Sequence, residues 1–175
     1  MEKPQSKVSF TGMSLIFKAR DLLKPRKNVL KEAGIQVGFH VLDFGCGPGG
    51  YILPLARLTG ASGKIYALDV NPLAILSVKA IAVKNKLDNV TTILSERDSG
   101  LPDASIDMVL LYDVLHHLAS PDDVLTELHR VLKVGGILSV SDHHMQKADI
   151  ESKITAVGLF RSLKKGKNVY NFIKE

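Results

Sequence analysis

The sequence predicts an α/β domain in which helices wind over both faces of a mainly parallel sheet. Three observations point there. From residue 39 onward, short apolar runs alternate with longer stretches of helical periodicity. A glycine-rich turn, GCGPGG at 45–50, ends the first apolar run and opens a helical pattern. The 175 residues, 45% of them hydrophobic, suit one domain that buries roughly two-thirds of its unfolded surface. Residues 1–175 are therefore read as a single domain, with a helical cap at 1–38 and a core at 39–175.

The elements follow in order. SLIFKARDLL and PRKNVLKEA are two amphipathic N-terminal helices separated by Pro25. FHVLDFG (39–45) is the first strand. The helix after the glycine turn runs to Thr59, with Ile52, Leu55 and Ala56 on one face and Gly60 past its end. KIYALDV (64–70) is the second strand, and Pro72 sits where a helix can start. Leu73, Leu76, Ala80 and Val83 recur at helical spacing to about Asn85. Strands follow at 89–94 and 105–113. Pro121 opens a helix with Val124, Leu125, Leu128 and Leu132 as its buried stripe, and Gly135-Gly136 is expected to end it. A fifth strand at 136–142, a helix at 147–157 and a hairpin turning at Lys165-Gly166 complete the chain.

Gly45, Gly47 and Gly50 satisfy the G-x-G-x-x-G spacing, so a dinucleotide is the first candidate ligand. Two residues argue for another. Asp43 precedes the first glycine, where a carboxylate would face a pyrophosphate badly but would suit a ligand bearing an ammonium and a sulfonium. Asp69, ending the second strand, is placed to accept hydrogen bonds from ribose hydroxyls, which fits either nucleotide. A dehydrogenase also needs a substrate domain, for which this length leaves no room.

VLDFGCGPGG, ALDVNP, LPDASIDMVLLYDVLHHL and ELHRVLKVGGILSVSD occur in sequence across residues 38–142. They resemble successive motifs of class I S-adenosylmethionine-dependent methyltransferases, most closely the type 11 group that includes the ubiquinone/menaquinone C-methyltransferases. The resemblance implies a three-layer, Rossmann-like seven-stranded sheet of order 3-2-1-4-5-7-6 with strand 7 antiparallel. It implies S-adenosylmethionine as cofactor, with S-adenosylhomocysteine as product. Gly45, Cys46, Gly47 and Gly49 would wrap the methionine end, with Asp43 near its amino group. Asp69 would hold the ribose, beside Val70 and Asn71. The adenine contact departs from the usual pattern: SERDSGLP (95–102) offers Glu96, with a backbone N–H from Arg97, or alternatively Asp98. Tyr112 and Asp113, ending strand 4, would lie beside the methyl group.

Methyl transfer needs alignment, and it needs a base only where the acceptor loses a proton. His117 and His143 are the candidate acid/base residues, with His116, Asp142 and His144 nearby. Adjacent histidines on extended chain face opposite ways, so no metal is expected. Cys46 lies within the glycine turn and is no candidate nucleophile. YDVL is not the Asn/Asp-Pro-Pro-aromatic motif of base amino methylation, and aromatic platforms are sparse.

The net charge of +5 is unevenly spread: residues 1–40 carry +5, residues 41–146 carry −4 and residues 147–175 carry +4. The expected acceptor is thus a small molecule, with Phe10, Met13, Ile16, Phe17 and Met145 as apolar walls, and nucleic acid is disfavoured. RNA or protein methylation through the basic ends, and a non-catalytic cofactor-binding subunit, are the alternatives. One cysteine, no apolar leader and no membrane-length apolar run predict a cytoplasmic protein, monomeric or homodimeric.

Overall fold

A computed structural model describes residues 26–175. The first predicted helix, and with it Phe10, Met13, Ile16 and Phe17, lies outside the described residues. The second helix is present as α1 (Arg26–Ala33), followed by β1 (His40–Phe44), α2 (Ile52–Thr59), β2 (Lys64–Asp69) and α3 (Pro72–Asn85). Then come β3 (Val90–Leu94), β4 (Ile106–Tyr112), a short 3-10 turn (Leu115–His117) and α4 (Pro121–Val131). β5 (Leu132–Ser141), α5 (Lys147–Thr155), β6 (Phe160–Lys165) and β7 (Tyr170–Lys174) end the chain.

The seven strands form one sheet in the order β3-β2-β1-β4-β5-β7-β6. β1 to β5 pair in parallel, while β7 runs antiparallel to β5 and β6. Side-chain alternation along the strands splits the core in two. On one face Val41, Ile65, Ala67, Met108 and Leu110 pack against Leu30, Leu55 and Val78 from α1, α2 and α3. On the other, Leu42, Leu68, Val109 and Leu111 pack against Leu125, Leu128, Ile150 and Ile154 from α4 and α5. By the same alternation, Asp43 and Asp69 project toward the α1–α3 face, two positions along from Val41 and Ala67.

Two local rules of sequence hold. Asn71 caps α3, its Oδ1 accepting from Leu73 N at 2.9 Å, with Pro72 at the first helical position. The β6–β7 hairpin pairs Lys165 with Tyr170. One boundary differs. The helix before strand 5 stops at Val131, and β5 starts at once, at Leu132. Ile106 pairs with Leu132 but Met108 with Ile137, so the extra residues bulge out of the strand. Gly135 and Gly136 therefore shape a bulge within the strand; a Cβ on Gly136 would lie 2.8 Å from Lys133 O.

The edge of the sheet that carries the C-terminal hairpin also fixes α1. Glu32 accepts from Asn168 N at 2.8 Å and Asn168 Nδ2 at 2.7 Å, and Asn171 Nδ2 donates to Ala33 O at 2.8 Å. Burial works against the Glu32 charge, but these Asn168 bonds hold its carboxyl below the usual range. No helix among the described residues is long and apolar enough to cross a membrane.

Leu110 is fully buried at the centre of the sheet. Leu110→Ala is expected to cost about 2–5 kcal/mol in urea denaturation. Val134→Ala, on the exposed bulge, is expected to stay within roughly 0.5 kcal/mol.

Candidate functional site

The C-terminal ends of the parallel strands converge on one edge of the sheet, where open α/β folds bind ligands. Two groups of chemically active side chains meet there. The first belongs to β1 and β2. Gly45 N and Cys46 N both donate to Leu68 O, at 2.8 and 3.0 Å, which ties the glycine turn to the end of β2. Gly47 N then donates to Asp69 Oδ2 at 2.8 Å, and Asn71 N to Asp69 Oδ1 at 2.8 Å. Burial raises the Asp69 carboxyl, against the pull of these N–H groups. Gly49 is where the turn needs glycine most. Its φ is +82°, and a Cβ there would lie 2.9 Å from both Val78 Cγ2 and Ile81 Cδ1 on α3.

Asp43 is the unusual member. It is 2% exposed, and its Oδ2 has no hydrogen-bond partner among the described residues. Burial pushes its carboxyl up to about 7, the positive Arg26 pulls it down, and the Asp69 charge adds to the rise. An orphaned buried carboxylate oxygen is costly and calls for a cation. The ammonium of a methionine end is such a cation, so these residues fit the cofactor implied by the motifs. Cys46 is buried next to both carboxylates; burial, then the charges of Asp43 and Asp69, push its thiol up. It remains a thiol at neutral pH and is no nucleophile.

The second group belongs to β4 and β5. Asp113, just past β4, adopts φ +56°, and its N–H donates to Ser141 O at 2.6 Å. A non-glycine residue in the left-handed region is sparsely populated and is found disproportionately at functional sites. His143 donates from Nδ1 to Asp113 Oδ1 at 2.6 Å, and its backbone N–H reaches the same oxygen at 3.2 Å. A second such pair lies deeper: His116 Nδ1 and Asp142 Oδ2 are 2.7 Å apart, and the Asp142 side chain is fully buried. His144 N donates to Asp142 Oδ1 at 3.0 Å. The four imidazoles stack in a chain from His117 to His116, His144 and His143, with centroid separations of 3.9, 4.3 and 3.9 Å. Among the described residues, no group of three or more His, Cys, Asp or Glu has a metal-holding arrangement. Val114 joins the two groups, since its side chain packs on Gly45 where a Cβ would collide with it.

The remaining predicted residues are spread around this centre. Tyr112 is buried, its hydroxyl 2.9 Å from Ser139 Oγ and its ring edge-on to Tyr51 at 5.2 Å. Val70 is 65% exposed beside Asp69. Glu96 is exposed, whereas Asp98 is engaged by Arg97 Nε at 3.1 Å. Arg97 N donates to Ser95 Oγ at 3.3 Å. His117 is exposed at the end of the 3-10 turn.

Sequence reasoning missed two contributors. Arg26 comes from α1, outside every motif block. Glu127 on α4 accepts from Ser99 N at 3.0 Å, Ser99 Oγ at 2.6 Å and Arg130 Nε at 2.7 Å, pinning the 95–103 loop to the helix. Burial opposes its charge, yet the Arg130 and Ser99 bonds bring its carboxyl down to about 2. The i, i+3 spacing of Glu127 and Arg130 was readable, but the loop serine they serve was not.

Comparison with known proteins agrees with this geometry. The model of a methyltransferase domain matches residues 35–175. The chain belongs to that methyltransferase family. It is 35% identical over 130 residues to a demethylmenaquinone methyltransferase of Geobacillus stearothermophilus, covering 73% of this chain and 55% of that protein. It is 32% identical over 145 residues to a sterol 24-C-methyltransferase of Yarrowia lipolytica, covering 82% of this chain and 38% of the other. The chain thus spans about half the length of the demethylmenaquinone methyltransferase it matches. Among solved structures, a SAM-dependent methyltransferase from Aquifex aeolicus superposes with TM-score 0.79 at 28% identity, covering 89% of this chain and 92% of that one. The [4+2]-cyclase SpnF shares the fold, with TM-score 0.69 at 22% identity over 79% of this chain and 57% of its own. The cofactor of this methyltransferase family is S-adenosylmethionine.

Asp43 links binding to pH and stability. Its folded-state pKa lies above the unfolded value, so the folded chain binds the extra proton between about pH 4 and 7. Stability of the free protein therefore falls as pH rises through that window, by an amount on the order of 4 kcal/mol. Asp43→Asn is expected to raise the melting temperature at pH 8 and to lose that advantage near pH 4. The same variant is expected to bind S-adenosylmethionine roughly 100-fold more weakly in calorimetry, because a buried ion pair loses its acceptor. Wild-type affinity should rise with pH through about 7, as Asp43 ionises.

Proposed function

We propose that this domain is a cytoplasmic S-adenosylmethionine-dependent methyltransferase that methylates a small-molecule acceptor by in-line displacement. The observation that carries the reading is the buried Asp43 Oδ2, without a partner among the described residues, at the glycine turn and within the electrostatic reach of Asp69. A pyrophosphate-binding site would not bury an uncompensated negative charge there.

In this reading the backbone of Gly45, Cys46, Gly47 and Gly49 encloses the methionine end and Asp43 accepts its ammonium. Asp69 keeps its bonds from Gly47 N and Asn71 N, and its remaining lone pairs take the ribose hydroxyls. Val70 and Asn71 flank the ribose. Glu96, which makes no salt bridge among the described residues whereas Asp98 pairs with Arg97, takes the adenine amino group, with the Arg97 N–H turned from Ser95 to the ring. Tyr112 is the buried floor beneath the site and Asp113 its wall at the end of β4. When bound, the cofactor supplies an electrophilic methyl group whose transfer needs no further activation. The protein's contribution is then to hold acceptor and methyl in line and to exclude water.

His143 is the proposed base. Its Nδ1–H is fixed by Asp113, which leaves Nε2 as the acceptor nitrogen on a half-exposed ring. That arrangement removes a proton from a hydroxyl or an acidic carbon as the methyl arrives. His117, at the other end of the imidazole stack, lines the acceptor side. The quinone and sterol methyltransferases among the relatives support a small, largely apolar acceptor. Charge supports it too, because basic residues of the C-terminal segment are paired, Lys165 with Glu151 and Arg161 with Glu175.

The test is a tritiated-methyl transfer assay over hydroquinones and a metabolite extract, with calorimetry alongside. Asp69→Ala is expected to lose at least roughly 100-fold in cofactor affinity. His143→Gln is expected to keep cofactor affinity and lose roughly 10²–10⁴ in kcat. NADH binding in place of S-adenosylmethionine would contradict the reading.

A further inference from the structure

α1 brings a cation to the cofactor cleft. Arg26, its first residue, is only 8% exposed. Its guanidinium carbon lies 4.7 Å from the centroid of the Tyr51 ring, and the group fills the space that a Cβ on Gly50 would need. Its charge is felt by Asp43. Gly50 and Tyr51 lead from the glycine turn into α2, so the guanidinium rests on the turn itself. The placement is well supported. Leu30 and Ala33 of the same helix are buried, and the C-terminal hairpin grips the helix through Glu32 and the Ala33 carbonyl.

The amino-acid end of the proposed cofactor is a zwitterion, with ammonium and carboxylate on one carbon. Asp43 has an oxygen without a partner among the described residues to offer the ammonium. The carboxylate needs a donor on the same side of the cleft. A guanidinium suits it, being planar, always charged and able to give two parallel N–H bonds. Glycine at position 50 is then explained as well: a side chain there would evict the guanidinium.

We propose that Arg26 binds the carboxylate of the cofactor's methionine end, so that Arg26 and Asp43 together form a two-ion receptor that selects the intact amino-acid zwitterion. This rests on the reading of S-adenosylmethionine as cofactor. The selecting cation comes from a helix outside the motif blocks and is held by the last strands, so both ends of the described chain bear on cofactor choice.

Calorimetry on the full chain, with S-adenosylmethionine and its decarboxylated form, tests this directly, because the two ligands differ only by the carboxylate. Wild type is expected to prefer the intact cofactor by roughly 10- to 100-fold, the range for charge-assisted hydrogen bonds. Arg26→Gln should erase that preference, weakening the intact cofactor while the decarboxylated ligand stays within about twofold. Both ligands are measured on one preparation, so a partly misfolded fraction cancels from the ratio. Arg26→Lys should restore part of the preference, since it keeps the charge without the fork. If Arg26→Gln weakens both ligands equally, Arg26 only packs the turn and the proposal is overturned. It is also overturned if wild type does not distinguish the ligands. A wild type that binds neither ligand would bring down the cofactor reading itself, and this proposal with it.

Discussion

A carboxylate that the fold buries without satisfying organises this molecule. Asp43 sits near the end of a central strand, almost fully buried, and one of its oxygens meets no donor among the described residues. Evolutionary logic aside, the physics allows only a few resolutions: protonation, a nearby cation, or a ligand that brings one. The chain uses Arg26 as a partial answer and leaves the oxygen open. In the proposed reading a cationic ligand relieves that buried charge.

Other features of the site follow from where that residue sits. The glycine turn begins two residues after Asp43 and is tied to β2 by bonds to Leu68 O and to Asp69, so in the proposed reading the methionine and ribose ends are positioned by one backbone unit. Val114 presses on Gly45 and couples this unit to the loop after β4, where Asp113 and the histidine stack begin. The proposed cofactor and acceptor sides are adjacent because β1 and β4 are adjacent in the sheet. The fold alone does not decide the chemistry, as the shared architecture of a [4+2]-cyclase illustrates. The decision lies in the side chains at the strand ends.

The strands and helices were legible because they rest on short-range signals: apolar runs of strand length, Pro72 at a helix start, glycines after a strand. The sheet order followed from the resemblance of the motif blocks, and Asp43 and Asp69 stood out as carboxylates beside the glycine turn. What was not legible depends on contacts far apart in the chain. The charge of Arg26 acts on Asp43 from a distant part of the chain, and Glu32 meets Asn168 only because the C-terminal hairpin closes the sheet. The start of β5 was misjudged for a related reason. Gly135-Gly136 reads as the end of a helix, but pairing of Leu132 with Ile106 pulls the chain into the sheet four residues earlier. The histidine pairs at 116–117 and 143–144 were visible as candidates, while their pairing with Asp142 and Asp113 became apparent only through the parallel pairing of β4 with β5.

The protonation state of Asp43 is the deciding property of the site, and carbon-13 NMR of its carboxyl measures it. In the free protein the carboxyl should titrate with a midpoint of about 7. Saturating S-adenosylhomocysteine, whose ammonium would lie against Asp43 in the proposed reading, should move that midpoint downward by at least one pH unit, as expected for an opposite charge in contact. A midpoint near the ordinary aspartate value of about 4 in the free protein, or one that the ligand leaves unmoved, would contradict the proposed reading.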